Sequence, residues 1–310
     1  MAEESGGQMP LPSEGSGLAA LTPSTPLAKA EQAFELYMEN ESFSTHTIKA
    51  FRGDLRLLAR YLGAERAIGR IATQDLNNFL HYLLHERGVP CSPKSYARRV
   101  TTLKVFFKWL HKGGVLPEDP AAAVIQRSVE TPLPDILDES EIRKALAVTI
   151  EMWHAKKPDP RPHLLFNLLL HTAIKKSECM GIRLKHINRN APGGAVLHVR
   201  YDDPRKQAKE RKVSLPEEVV DALDDYIDEY EIKDVLFPCT ARNLEYVLTD
   251  VAEQAGIEKG ISFQMLRWTA AVRDYVGGME ETRLRQKLGI SEVTWQSTGK
   301  KIKTLTKQLE

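Results

Sequence analysis

Residues 168–182 read Leu-Leu-Leu-His-Thr-Ala-Ile-Lys-Lys-Ser-Glu-Cys-Met-Gly-Ile, and the reading of this stretch decides the fold. Its first part completes a strongly apolar helix, Leu164 to His171, and Lys175-Lys-Ser-Glu then places three charges within four residues. Downstream, Ala195 to Arg200 and Arg211 to Leu215 alternate as a short antiparallel pair around a polar turn. Helical patterns follow at Pro216 to Glu229, Ala241 to Ala255, Phe263 to Tyr275 and Glu280 to Leu288, with a Lys-rich C-terminal helix from about Lys300. Upstream, Asp138-Glu-Ser-Glu opens a helix, so a second domain is expected over 135–310.

Further upstream the periodicity is again helical. Ala33, Leu36 and Tyr37 share one face, and Ile48, Phe51, Leu55, Leu58 and Leu62 recur at spacings of three and four behind the cap Ser44 or Thr45. Thr73 opens a third helix, closed by Gly88, and Ser92-Pro93 opens a fourth with Val100, Leu103, Phe106, Phe107 and Leu110 as its stripe. Residues 27–114 therefore read as a compact four-helix domain. Residues 115–134, with Pro117, Pro120, Pro132 and Pro134 around a brief Ala-Ala-Ala-Val helical interlude, read as an interdomain linker. Residues 1–26, rich in Gly, Ser, Pro, Glu and Thr, read as a disordered leader.

The chain has 310 residues with 43 Lys+Arg against 42 Asp+Glu, a formal net charge of +1 that names no partner. The distribution is more informative. The helix Ser92 to Lys112 holds six bases (Lys94, Arg98, Arg99, Lys104, Lys108, Lys112) and no acid, the segment Arg200 to Lys212 holds six bases against three acids, and four lysines follow from Lys300. Opposing charge collects at Pro216 to Val235, with nine acids and one Lys. Such segregation lets a near-neutral chain bind a polyanion on one side and repel it on another. Three dispersed cysteines, Cys91, Cys179 and Cys239, suggest neither a disulfide framework nor a zinc site and point to a reducing, cytoplasmic home; no membrane span and no cofactor are expected. His81 and His85 have helical spacing suited to metal but lack a third ligand.

The order of 168–182, Arg205-Lys-Gln-Ala-Lys-Glu-Arg-Lys-Val-Ser-Leu, Phe263-Gln-Met-Leu-Arg-Trp-Thr and Lys287-Leu-Gly-Ile resembles the tyrosine recombinase (phage integrase, Xer-like) family. The resemblance covers most of the chain. It implies a mainly α fold with a small antiparallel β-sheet, an N-terminal core-binding (SAM-like) four-helix domain and a C-terminal recombinase-type domain. It also implies a chemistry in which a tyrosine attacks a DNA phosphodiester while two arginines, a hairpin lysine and two histidines (the second sometimes Trp) stabilise charge and move protons.

Position by position, this sequence departs from that pattern. Lys175 stands where the family has its first arginine, in Thr172-Ala-Ile-Lys-Lys-Ser-Glu for Thr-Gly-Leu-Arg-x-Ser-Glu, keeping charge but losing the bidentate fork. Glu178 matches the family acid and Lys206 the hairpin lysine. Gln264 replaces the first histidine, Arg267 keeps the second arginine, Trp268 ends that box, and Ile290 stands for the histidine of Leu-Gly-His. Nine residues on, the tyrosine position holds Gly299; the last tyrosine, Tyr275, follows the apolar rhythm of its helix. Ser297 and Thr298 have no adjacent base to activate them.

The expectation is a catalytically inactive DNA-binding protein that clamps duplex DNA, with phosphate contacts from Lys94, Arg98, Arg99, Lys104 and Lys108 of the fourth helix. Lys175, Arg205, Lys206, Lys209, Arg211 and Arg267 would supply the contacts of the second domain. An architectural, nucleoid-associated or regulatory role follows, with self-association through the C-terminal helix. The alternative is a working recombinase with an unorthodox or trans-supplied nucleophile.

Overall fold

The computed structural model describes residues 18–125 and 132–308, which fall into two units divided after Pro132. The first is built from α1 (Leu27–Asn40), α2 (Thr45–Leu62), α3 (Thr73–His85) and α4 (Pro93–Lys112). Ser44 caps α2 by accepting from the Thr47 N–H at 3.1 Å, and Ser92 caps α4 by accepting from the Ser95 N–H at 3.2 Å. The core is aromatic: Phe34 meets Phe106 edge-on at 5.2 Å and Trp109 at 5.1 Å, with Tyr37 5.4 Å from Trp109.

Order in this unit reaches beyond the expected limits on both sides. Residues 1–17 of the expected leader lie outside the described residues, but Leu21 and Thr25 are buried, and Pro26 bridges Ala67 while the Ile68 N–H bonds the Thr25 carbonyl at 3.0 Å. The leader expectation therefore fails for 18–26, because Leu21 supplies apolar surface and the backbone there finds partners. The first half of the expected linker also belongs to this core: Val115, Leu116, Ala121 and Val124 are buried, and Thr73 Oγ1 donates to the Pro120 carbonyl at 2.7 Å. The Ala-Ala-Ala-Val interlude is a turn, and 126–131 lie outside the described residues.

The second unit contains α5 (Glu139–Trp153), α6 (Arg161–Thr172), α7 (Lys176–Met180), the strands β1 (Ile187–Asn188), β2 (Val196–Val199) and β3 (Arg211–Ser214), then α8 (Glu217–Glu229), α9 (Ala241–Gln254), α10 (Phe263–Val276), α11 (Glu281–Leu288) and α12 (Glu292–Lys307). Asp138 and Glu141 form a reciprocal capping box at the start of α5. Helix α6 is apolar nearly all round and is covered by α5, α8, α9 and α10. The three strands form one antiparallel sheet with Leu197 opposite Val213, both buried, so the alternation sends His198 and Lys212 to the other face. The polar turn between β2 and β3 is more ordered than the sequence suggested: Pro204–Lys209 is a 3₁₀ helix capped by Asp203.

Helix α12 begins at Glu292, eight residues before the expected start, capped by Ser291. Its Trp295, Ile302 and Leu305 are buried in a cluster with Ala270, Ala271, Val272, Leu284 and Leu288. The apolar side of the C-terminal helix is thus seated on its own domain. Among the described residues no helix is long and apolar enough to cross a membrane.

Candidate nucleic-acid interface

The site assembles around the end of 168–182. Helix α6 stops at Ala173, whose φ of 52° turns the chain, and Lys175 then occupies the N-cap position of α7. The Lys175 N–H donates to Glu178 Oε2 at 2.8 Å. Glu178 has a fully covered side chain, and Arg211 of β3 grips both its oxygens, with Nη1 3.1 Å from Oε1 and Nη2 2.9 Å from Oε2. The Tyr201 hydroxyl donates to the same carboxylate. Burial alone would raise the Glu178 pKa, but these bonds and the Arg211 charge outweigh it and hold it at about 2.

Three cations of this cluster reach three consecutive carbonyls. Arg211 Nε donates to the Lys287 carbonyl at 2.5 Å, Arg267 Nη2 to the Leu288 carbonyl at 2.5 Å, and Lys175 Nζ to the Gly289 carbonyl at 3.3 Å. These oxygens are the negative end of α11. Gly289 has φ of 58°, and a Cβ added there would lie 2.6 Å from Arg211 Nη1, so only glycine permits this approach. Arg267 also donates to the Ala173 carbonyl. Burial pushes the Arg267 pKa down to about 10, with the Glu178 charge opposing the shift, leaving it charged at neutral pH. Burial likewise lowers Lys175, with Glu178 opposing the shift.

Lys175 and Arg267 line a cleft of about 460 Å³ together with Lys176, Gln264, Phe263 and Thr249. Gln264 is exposed there, and Ile290 lines a neighbouring groove with Lys209, Arg211 and Lys212. Lys206 and Lys209 are exposed on the 3₁₀ loop; Lys206 Nζ lies 3.6 Å and Arg205 Nε 3.1 Å from Asp203. Gly299 is buried, and a Cβ there would meet the Trp295 indole at 3.2 Å. The phenol nearest the cations is Tyr201, and burial with its bond to Glu178 pushes its pKa up to about 12, away from a nucleophilic phenolate. Ser297 is exposed and donates to the Thr294 carbonyl. Among the described residues no three metal-ligating side chains converge, at His81 and His85 or elsewhere.

Three arginines expected to contact phosphate are bound to carboxylates of the protein. Arg98 donates to Asp54 and to the Ala50 carbonyl at 3.1 Å, and Arg99, 12% exposed, lies 3.5 Å from Asp54 and 2.7 Å from Cys91 Sγ. Both arginines hold α4 to α2, because a buried carboxylate needs cations within reach. Burial raises the Asp54 pKa, and Thr102, Arg98 and Arg99 oppose that rise. Arg211, 8% exposed, is likewise the partner of Glu178 rather than a surface cation. On α4, Lys94 and Lys108 are exposed and Lys104 is half-buried. Sequence reading missed Asp54, although an acid within the Phe51, Leu55, Leu58 stripe was a signal, and it missed Tyr201, for which no local signal exists.

Both domains have counterparts among known proteins. The family model described as "Phage integrase, N-terminal SAM-like domain" matches residues 31–114, and "Phage integrase family" matches 135–294. Tyrosine recombinase XerC of Staphylococcus epidermidis is 27% identical over 296 residues, covering 91% of this chain and 94% of the relative. The fold is similar to that of XerH site-specific recombinase bound to a palindromic difH substrate, with a TM-score of 0.69, 16% identity, and 94% and 90% of the two chains covered. It is equally similar to a lambda integrase dimer bound to a COC′ core site, with a TM-score of 0.69, 14% identity, and 89% and 77% covered. Both domains and their order being matched, the chain belongs to the phage integrase family, the tyrosine recombinases.

Proposed function

We propose that this protein binds duplex DNA through its phosphates and does not cut it. The observation that carries the reading is Arg267: a half-buried guanidinium beside Lys175 at an open cleft, with no carboxylate within ion-pair distance among the described residues, while the nucleophile's position is a buried glycine. Arg267, Lys175 and Arg211 share the single Glu178 carboxylate, so the cluster carries excess positive charge that a phosphate oxygen would offset. Lys206, Lys209 and Arg205 extend the same surface, and Lys94, Lys104 and Lys108 supply a second one on the N-terminal domain. Without a tyrosine at its family position, a positioned histidine or the first arginine, no group there attacks phosphorus, and Lys206, the hairpin lysine, has no leaving oxygen to protonate. Two structural relatives are DNA complexes and one is a dimer, which supports duplex DNA as ligand and pairing of copies upon it. The role that follows is architectural or regulatory, in the cytoplasm at the nucleoid.

A gel-shift titration across salt, paired with a suicide substrate that traps covalent intermediates, tests this. Expected are affinity that falls steeply with salt and no protein–DNA adduct. Absence of duplex binding at low salt overturns the binding assignment, and an adduct overturns the inactive one in favour of an unorthodox or trans-supplied nucleophile.

A further inference from the structure

The loop that carries Arg205, Lys206 and Lys209 is fastened to the cation cluster at one end by Tyr201 and at the other by Arg211, and Tyr201 also ties the two ends together. Its hydroxyl donates to Glu178, and its main-chain N–H donates to Glu210 Oε1 at 3.0 Å. Glu210 adjoins Arg211, which grips the same Glu178 carboxylate. The two ends of 201–210 therefore converge on one buried acid, itself tied to α7 by the Lys175 N–H. Inside the loop, Asp203 Oδ1 accepts from the Arg205 N–H at 3.1 Å, the Lys206 N–H bonds the Asp203 carbonyl at 2.9 Å, and Arg211 Nη1 reaches the Lys209 carbonyl at 3.3 Å. These bonds shape the loop, and its two ends, joined where Val199 pairs with Arg211, tie it to the cluster.

The geometry points to Tyr201 as a positioning residue for DNA contact: its hydroxyl, acting through Glu178, fixes the basic loop relative to Lys175 and Arg267. Loop and pocket then engage one stretch of phosphate backbone together. The inference rests on the reading of the chain as a duplex-DNA binder, and Tyr201 itself touches no DNA in it. The hydroxyl is separable from the ring, which packs partly buried against the domain core, so Tyr201→Phe removes the bond and keeps the packing.

The test is a double-mutant cycle on the full chain with Tyr201→Phe, Lys206→Ala and both together, read by binding to a short fluorescent duplex of mixed sequence over a salt series. Each single change is expected to weaken binding by about threefold to tenfold and to lower the salt slope by about one phosphate contact. The double variant should lose less than the product of the two single losses, since a loosened loop delivers Lys206 less often. Amide exchange over 203–210 should quicken in Tyr201→Phe with the thermal midpoint nearly unchanged. If that variant unfolds, Glu210→Ala releases the tie between the loop's two ends at Tyr201 and should show the same non-additivity. Additive losses, or wild-type affinity and slope in Tyr201→Phe, overturn the positioning role alone; a wild-type protein without duplex affinity overturns the DNA reading and this role with it.

Discussion

Glu178 joins more of the site than any other single residue. Its folded pKa of about 2 lies below the ordinary 4.5, so its stabilisation is complete above about pH 4.5 and is lost as pH falls toward 2. A shift of that size corresponds to about 3 kcal/mol. Glu178→Gln keeps the shape but leaves Arg211, 8% exposed, without counter-charge, and should cost about 3 kcal/mol at pH 7. Urea denaturation from pH 7 to pH 2 should show the gap between this variant and wild type closing as the wild-type acid protonates; a constant gap would mean the loss is packing rather than charge. Gly289 is constrained differently, by both its φ of 58° and the 2.6 Å approach of Arg211. Gly289→Ala should cost about 2 kcal/mol or more in thermal unfolding, and a neutral result would show that α11 can withdraw from the cations.

At the scale of the element, α12 shows how a position can be closed to chemistry. Trp295, one turn before Gly299, covers the place where a side chain at 299 would begin, 3.2 Å away. Gly299→Tyr therefore restores the family's residue without restoring its setting: it should lower stability by about 1–3 kcal/mol and yield no covalent adduct on a suicide substrate. An adduct would show that the helix can turn the ring outward. The same packing bears on self-association. Deleting residues after Lys300 removes Ile302 and Leu305, which are 0% and 4% exposed, and so opens the domain's own core. Charge reversal at the exposed Lys300 and Lys307 probes contact between copies without that damage. Helix α4 divides in a similar way, with Arg98 and Arg99 turned to Asp54 and Lys94 and Lys108 turned outward. Lys108→Ala should weaken DNA binding at unchanged stability, whereas Arg99→Ala should lower stability by about 2–4 kcal/mol; equal stabilities would remove the distinction.

Across the whole molecule the net charge of +1 is a sum of opposed regions rather than a property of any surface. The acids of α8 are mostly exposed, with Asp224 paired to Arg189 and Asp225 to Trp153, and they lie in a different part of the second domain from the Lys175 cleft. With Arg98, Arg99 and Arg211 committed internally, Arg205 held by Asp203 and Lys104 half-buried, Lys94, Lys108, Lys175, Lys206, Lys209 and Arg267 are the six proposed phosphate contacts counted in full. A slope of log affinity against log salt of about −5 follows if each neutralises one phosphate. A slope near zero would show that binding does not run through these cations.

Much of this was determined by the amino-acid sequence alone. Spacings of three and four laid out the helices of both domains, since a 3.6-residue period reports which face is buried. Four motifs in order carried the family, and Gly299 in the tyrosine's place was legible as written. The partner of each cation was not. Arg98 finds Asp54 across 44 residues and Arg211 finds Glu178 across 33, and no local pattern distinguishes an arginine that meets a buried acid from one that meets solvent. Tyr201 and the α11 carbonyls enter the site for the same reason. Periodicity encodes how much of a residue is covered, while charge pairing depends on where separate parts of the backbone come together, and that only the tertiary structure decided.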